Sequence, residues 1–390
     1  MDKKLFFISK DANWQHYRNE VLTYLAATHN LKVEILTTGT LKSYLKENEH
    51  LKYKLFKNYF SSSRKLNFFP GALFYIIKNR PKFVLALNNA TNITEYVACI
   101  LCFLMGIKFT WWTHGYDHKP VKGKFKRKIK DFYTLFFYKI SNSIITFSEP
   151  GKLYLIEKGI KPGKIFVAPN TLDTDKLLSL KSKIIETFDR GDFISKNIPG
   201  AAIDDRFILF SGRINNYKKV DDLINALPLI LQKQPNVHLI IVGDGEQKPN
   251  IENRTKELNL TGRVHFKGAI FDEVEVGKYF ILCDLFVIPG LVGLAIVHAF
   301  CYGKPLITED VSYHSPEIQY LKNNKNGFMV KENDLTDMAD KIILLLQNEE
   351  KLKEMSFNCV ETIKESASIS FMTDAMYNAL IYSKAKELTR

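Results

Sequence analysis

Cysteine is scarce: five in 390 residues, at no regular spacing, which excludes a disulfide framework and suits a reducing compartment. Cys99 and Cys102 sit in an apolar stretch with no partner pair nearby, so they read as two small buried helix residues. Long hydrophobic runs are missing too. The longest in the first half, Val97 to Met105, is about half of what a bilayer span needs. Leu5-Phe6-Phe7-Ile8 is too short for the core of a signal peptide. A soluble or peripheral chain is therefore expected, in the cytoplasm or at the inner face of its membrane. No histidine–carboxylate cluster has metal-ligand spacing, and no lysine-bearing phosphate loop or serine or cysteine nucleophile motif occurs. Gly243-Asp244-Gly245 lacks the third glycine of a dinucleotide fingerprint. Neither metal nor cofactor is expected.

Acidic residues are in deficit, 42 against 55 lysines and arginines, for a formal charge of +13. Much of the excess gathers in Lys119, Lys122, Lys124, Lys126, Arg127, Lys128 and Lys130, followed by Phe132, Tyr133, Phe136, Phe137 and Tyr138. Cations beside aromatics suit an anionic lipid surface or an anionic acceptor. A solvated helix face ahead of a buried one explains the run equally well. A nucleic-acid partner is not expected, because no recognisable reading motif accompanies the charge.

What is present is an alternation of strands and helices. Strands are expected at Leu5–Ser9, Lys32–Leu36, Phe83–Leu87, Lys108–Trp112, Ile144–Phe147 and Ile165–Ala168, a six-stranded parallel sheet wound on both faces. Residues 37–65 resist placement. This first domain takes in residues 1–178. Periodicity then fades and charges crowd together, which places a linker at 179–205. A second domain of the same kind follows at 206–368, and an amphipathic helix within 369–390 stands apart from it, free to pack back on the first. Composition and length suit this two-domain α/β organisation.

The second domain centres on Ile288 to Pro305. A strand runs into a glycine-bearing loop, then into a helix apolar on every side that stops at Gly303-Lys304-Pro305. Such a loop lies at the carboxyl ends of parallel strands, where doubly wound sheets bind ligands, and a helix amino end offers N–H groups to an anion. Gly212, Gly243, Gly268 and Gly290 end four consecutive strands, so a ligand is expected along that edge. Arg213 and Lys218 flank Ile214-Asn215-Asn216-Tyr217 just past a strand end; a fork and a point charge suit a diphosphate. His114, at the end of another strand, is placed to bond a substrate hydroxyl or act as a base.

With these residues in hand, the chain resembles the retaining glycosyltransferases of family four, which share the GT-B fold of two Rossmann-like domains facing a cleft. Ser211-Gly212-Arg213 with Lys218 is similar to the family's basic pair on the donor diphosphate. Leu239 to Gly245 and Arg263 to Gly268 match its next two segments, and Ala168-Pro169-Asn170 with Asp173 the end of its first domain. The resemblance implies His114, Arg213 and Lys218 as catalytic. It implies Gly212, Asp244, Gly268, Ile270, Gly290, Gly293, Leu294, His298 and Glu317 on the donor side, and Asn13, His16, Arg18 and Asp117 toward the acceptor. Gly290 and His298 stand where most members carry the two glutamates of a Glu-seven-residues-Glu motif. Asp11-Ala12-Asn13-Trp14 replaces the family's amino-terminal glycine pair. The implied activity is hexose transfer from a nucleotide diphosphate sugar, UDP- or GDP-linked, with retained configuration and no bound metal. The implied acceptor is a glycan or lipid-linked glycan of a bacterial cell-surface polysaccharide such as capsule or lipopolysaccharide. A nucleotide-sugar epimerase and a catalytically silent relative stay open.

Overall fold

A computed structural model describes residues 3–10, 17–39, 41, 47–60, 66–115 and 124–383, with the side chains of Tyr17 and of 124–131 left aside. The chain divides into two compact units, Met1–Asn170 with Ile369–Arg390, and Thr171–Ser368.

The first unit is built on a parallel sheet of seven strands: β1 (Lys3–Ile8), β2 (Leu31–Thr37), β3 (Leu51–Leu55), β4 (Phe83–Leu87), β5 (Lys108–Thr113), β6 (Ser143–Thr146) and β7 (Ile165–Val167), in the order β3-β2-β1-β4-β5-β6-β7. Near-continuous runs such as Phe83-Val84-Leu85-Ala86 mark strands covered on both faces. One layer holds Ala72, Ile76, Ala98, Cys99 and Cys102 from two helices. The other holds Val21, Leu22 and Leu25 from the Tyr17–His29 helix, with Met372, Met376 and Leu380 from the Ile369–Ile381 helix. Cys99 and Cys102 are thus core residues, and burial pushes the Cys99 thiol up to about 12.

The sheet has one strand more than the sequence pattern predicts. β3 lies in the stretch 37–65, where Leu51 and Tyr53 point inward while Lys52 and Lys54 stay outside, as suits an edge strand.

The second unit holds six parallel strands: β8 (Arg206–Ser211), β9 (Val237–Val242), β10 (Val264–Gly268), β11 (Leu285–Val287), β12 (Leu306–Glu309) and β13 (Gly327–Val330), in the order β10-β9-β8-β11-β12-β13. The expected linker at 179–205 is corrected: it folds into this unit. Asp173 and Asp189 cap two helices, Thr174–Thr187 and Arg190–Asn197, by accepting from Lys176 and Asp192 N–H. Their buried stripe is narrow, Leu177, Ile184, Phe193 and Ile194, so the many charges between hid it.

The strand order reverses between β8 and β11, which makes their carboxyl-end loops neighbours. This is the switch point where open α/β sheets bind ligands.

Candidate functional site

Two loops meet at that switch point. Gly290 N–H donates to the Lys218 carbonyl at 3.0 Å and Leu291 N–H to the Tyr217 carbonyl at 2.6 Å, so the loop after β11 is laced to the loop after β8. Lys218 Nζ then donates to the Leu291 carbonyl at 2.6 Å. Desolvation pulls the half-buried Lys218 ammonium down to about 8, against the pull of the buried Glu317 carboxylate. A cation held in low dielectric binds an incoming anion more strongly than a surface lysine does. Arg213, five residues earlier, is exposed, so its fork is open to a ligand.

The glycine edge has a different basis from the one its sequence suggests. A Cβ on Gly243 would meet the Gly212 carbonyl oxygen at 1.9 Å, one on Gly245 the Ile214 oxygen at 2.2 Å, and one on Gly290 the Tyr217 oxygen at 2.1 Å. Those three glycines let neighbouring loops zip together; Gly212 N–H donates to Val242 and Ile214 N–H to Asp244, each at 2.9 Å. Gly290 is buried, with its N–H given to Lys218 and its carbonyl accepting from Thr308. Gly268 has open space where a Cβ would stand, and Gly293 nothing nearer than Ser315 Oγ at 3.8 Å. Gly212 is as open, with nothing nearer than Lys218 Cε at 4.0 Å, so these three glycines of the edge leave room for a ligand. The ladder of the short Ala295–Cys301 helix starts with Ile296 N–H donating to Gly293, so the N–H groups of Gly293 and Leu294 precede it.

Residues outside the sequence reading hold this loop. His314 Nδ1 accepts from Val292 N–H at 3.1 Å, and its Nε2 donates to the Glu309 carbonyl at 2.7 Å. Both contacts require the neutral ring, and burial lowers the His314 pKa. Lys219 adopts a left-handed backbone, φ 50°. Its ammonium pairs with Asp222 at 3.0 Å and with the fully buried Glu309, whose carboxylate also accepts from Asn333 N–H at 3.2 Å. Lys219 is thereby anchored, and Lys218 beside it is aimed at Leu291. Only the pairing of loops from distant strands shows these roles.

The remaining donor-side candidates lie near by or on adjacent loops. Asp244 is exposed, its Oδ1 accepting from Gly245 N–H at 2.7 Å, and Ile270 packs against the core. The His298 ring packs against Phe280 at a tilt of 35° with centroids 4.5 Å apart, and burial pushes its pKa down to about 4. Its Nε2 lies 3.4 Å from Glu273, a contact between a neutral ring and a carboxylate at neutral pH.

In the first unit, His114 is exposed at the end of β5 with its ring 4.6 Å from that of Phe147. The Arg18 guanidinium lies 5.7 Å from the same Phe147 ring and 5.0 Å from Trp112, so these two candidates share one aromatic platform. Close by in the sheet, Asn88 links Tyr96 (2.7 Å) and Tyr138 (2.5 Å), and Tyr138 donates to Thr113 at 2.9 Å. Asn13, His16, Asp117, Lys119 and Lys122 lie outside the described residues. Lys124, Lys126, Arg127, Lys128 and Lys130 stand on the Lys124–Ile140 helix.

A family model for group 1 glycosyl transferases matches residues 193–360, and one for glycosyltransferase family 4 matches residues 18–176. The two matches take in most of the chain, which belongs to the family-4-like glycosyltransferases with the GT-B fold. An uncharacterized glycosyltransferase of Haemophilus influenzae is 25% identical over 312 residues, 78% of this chain and 76% of that protein. The poly(ribitol-phosphate) alpha-N-acetylglucosaminyltransferase of Staphylococcus aureus is 25% identical over 58% of this chain and 45% of its own length. The alpha-monoglucosyldiacylglycerol synthase of Acholeplasma laidlawii is 24% identical over 65% and 59%. In fold, the chain is similar to Anabaena HepE in complex with UDP, with a TM-score of 0.72 at 18% identity over 97% of this chain and 99% of that one.

Proposed function

We propose that this glycosyltransferase moves a hexose from a UDP- or GDP-linked donor to a glycan or lipid-linked glycan acceptor, with retained anomeric configuration, in the assembly of a bacterial cell-surface polysaccharide. The observation that carries the reading is Lys218, desolvated and held on the Leu291 carbonyl at the switch point, with Arg213 free to close on the same anion. Charge that develops on a departing diphosphate is stabilised there by groups already in place, the electrostatic effect that contributes most to such transfers. With two cations supplied by the chain, the reaction needs no metal ion. Lacking a covalent nucleophile, the leaving diphosphate accepts the acceptor's proton on the face it departs from. His114 bonds a hydroxyl of the transferred sugar, and Arg18 faces the acceptor. Two relatives are named for alpha-linked products, one on a poly(ribitol-phosphate) and one on a diacylglycerol, which supports retention and a cell-surface acceptor.

The experiment is transfer from UDP-glucose, UDP-N-acetylglucosamine and GDP-mannose to a panel of lipid-linked and free glycans in the presence of EDTA, with the product's anomeric configuration read by NMR. An alpha product from an alpha donor supports the reading. An inverted product, a strict metal requirement, or an epimerised donor without acceptor removes it.

A further inference from the structure

Three adjacent helices of the first unit, Pro70–Asn79, Ile93–Met105 and Lys124–Ile140, cover one layer of its sheet. Their outer side is apolar. Phe74 is 70% exposed, Phe103 57%, Leu104 75% and Phe132 77%, with Ile100 and Phe136 also open. The middle helix has no charged side chain on its exposed face, because its single acid, Glu95, is buried. A helix apolar on both faces belongs in a core or against lipid. A patch of large side chains on three neighbouring elements marks a docking surface, unlike scattered single exposures.

The surrounding charge selects the occupant. Among the described side chains, the exposed ionisable groups on these helices are cations, Lys78 and Lys139, without a carboxylate. The helix that carries Phe132 and Phe136 begins with Lys124, Lys126, Arg127, Lys128 and Lys130 against one acid, Asp131, in its sequence. A second copy docking about a two-fold axis would set one cationic face against another. An anionic lipid surface offsets the charge and accepts the rings together. Spanning is ruled out for these helices, since none among the described residues is long and apolar enough to cross a membrane.

We infer that this three-helix face seats on an anionic bilayer, with Phe74, Phe103, Leu104 and Phe132 entering at headgroup level and Lys78 and Lys139 pairing with lipid phosphates. The acceptor in the proposed reaction would then be met at the membrane surface, although the docking itself stands on the first unit alone and survives a different donor or acceptor.

The test is flotation of the full chain with vesicles of phosphatidylcholine, alone or mixed with phosphatidylglycerol, at low and high salt. Binding to the anionic vesicles is expected to exceed binding to neutral ones about tenfold and to fall with salt. The double variant Phe103→Ser, Leu104→Ser should lose about tenfold in bound fraction while its thermal shift with UDP stays unchanged. The quadruple variant with Gln at Lys124, Lys126, Lys128 and Lys130 should lose the salt dependence. Flotation of the serine variant at the wild-type level overturns the inference. So does a wild-type dimer in sedimentation that this variant converts to monomer without any vesicle binding. UDP binding in every arm keeps a failure of docking distinct from a failure of the donor site.

Discussion

Replacing Gly290 tests whether the two switch-point loops are one device. In Gly290→Ala the new methyl would stand 2.1 Å from the Tyr217 oxygen and 2.9 Å from the Lys218 carbonyl carbon, and both are backbone, so no side chain can swing away. The loops must part. Two buried backbone hydrogen bonds, Gly290 to Lys218 and Leu291 to Tyr217, are stretched or lost, each contributing about 1 kcal/mol. Overpacking adds about 1–3 kcal/mol. The sum is about 3–5 kcal/mol, which for a unit of this size lowers the melting temperature by roughly 10 °C. Lys218 loses its seat on Leu291 in the same movement, so affinity for UDP should fall at least about tenfold, near 1.4 kcal/mol. Thermal unfolding with and without UDP measures both effects. A variant that melts within about 1 °C of the parent and binds UDP equally refutes the reasoning. Gly290→Glu restores the carboxylate that the family resemblance places here and is expected to do no better, since its Cβ meets the same carbonyl.

Four further outcomes follow from the same geometry. Arg213→Ala and Lys218→Ala should each lower turnover about 10²–10³-fold while the fold stays intact, as for other preorganised charge-stabilising groups. UDP affinity should be flat between about pH 7 and 8 and weaken above that by up to about tenfold per pH unit, because the free Lys218 ammonium is held down to about 8 and binding must then take a proton from the buffer, which titration calorimetry reads as a buffer-dependent heat. Stability of the second unit should fall as pH drops from 6.5 toward 4: burial holds His265 and His298 at about 4, so each favours the fold when neutral, above its unfolded value, and withdraws up to roughly 3 kcal/mol on the way down. A melting curve flat across that range would contradict this. Glu309→Leu leaves Lys219 short of its buried partner and should cost about 3–5 kcal/mol, read by denaturant unfolding.

Much of this fold was legible in the chain because parallel strands covered on both sides are written as apolar runs, Phe207-Ile208-Leu209-Phe210 being one. β3 was not legible, since an edge strand reading Leu-Lys-Tyr-Lys-Leu shows two buried residues and carries lysines on its open side. The stretch 179–205 looked like a linker for a similar reason: its helices bury a few side chains amid many charges. The place of Arg213 and Lys218 just beyond a strand end was legible as well. The function of Gly290 was not. Its lack of a side chain answers to the Tyr217 carbonyl, more than seventy positions away, and such long-range contacts leave no local pattern. His314 and Glu309 were missed on the same ground, being defined by Val292 and Lys219.

Calorimetric titration of UDP into the parent chain and into the Arg213→Ala, Lys218→Ala double variant tests the diphosphate site most directly. Micromolar binding that weakens by at least about a hundredfold in the variant is the predicted result, roughly 3 kcal/mol from two charge-assisted contacts. Equal affinity in both proteins, or no binding to the parent, would contradict a diphosphate held between these two loops.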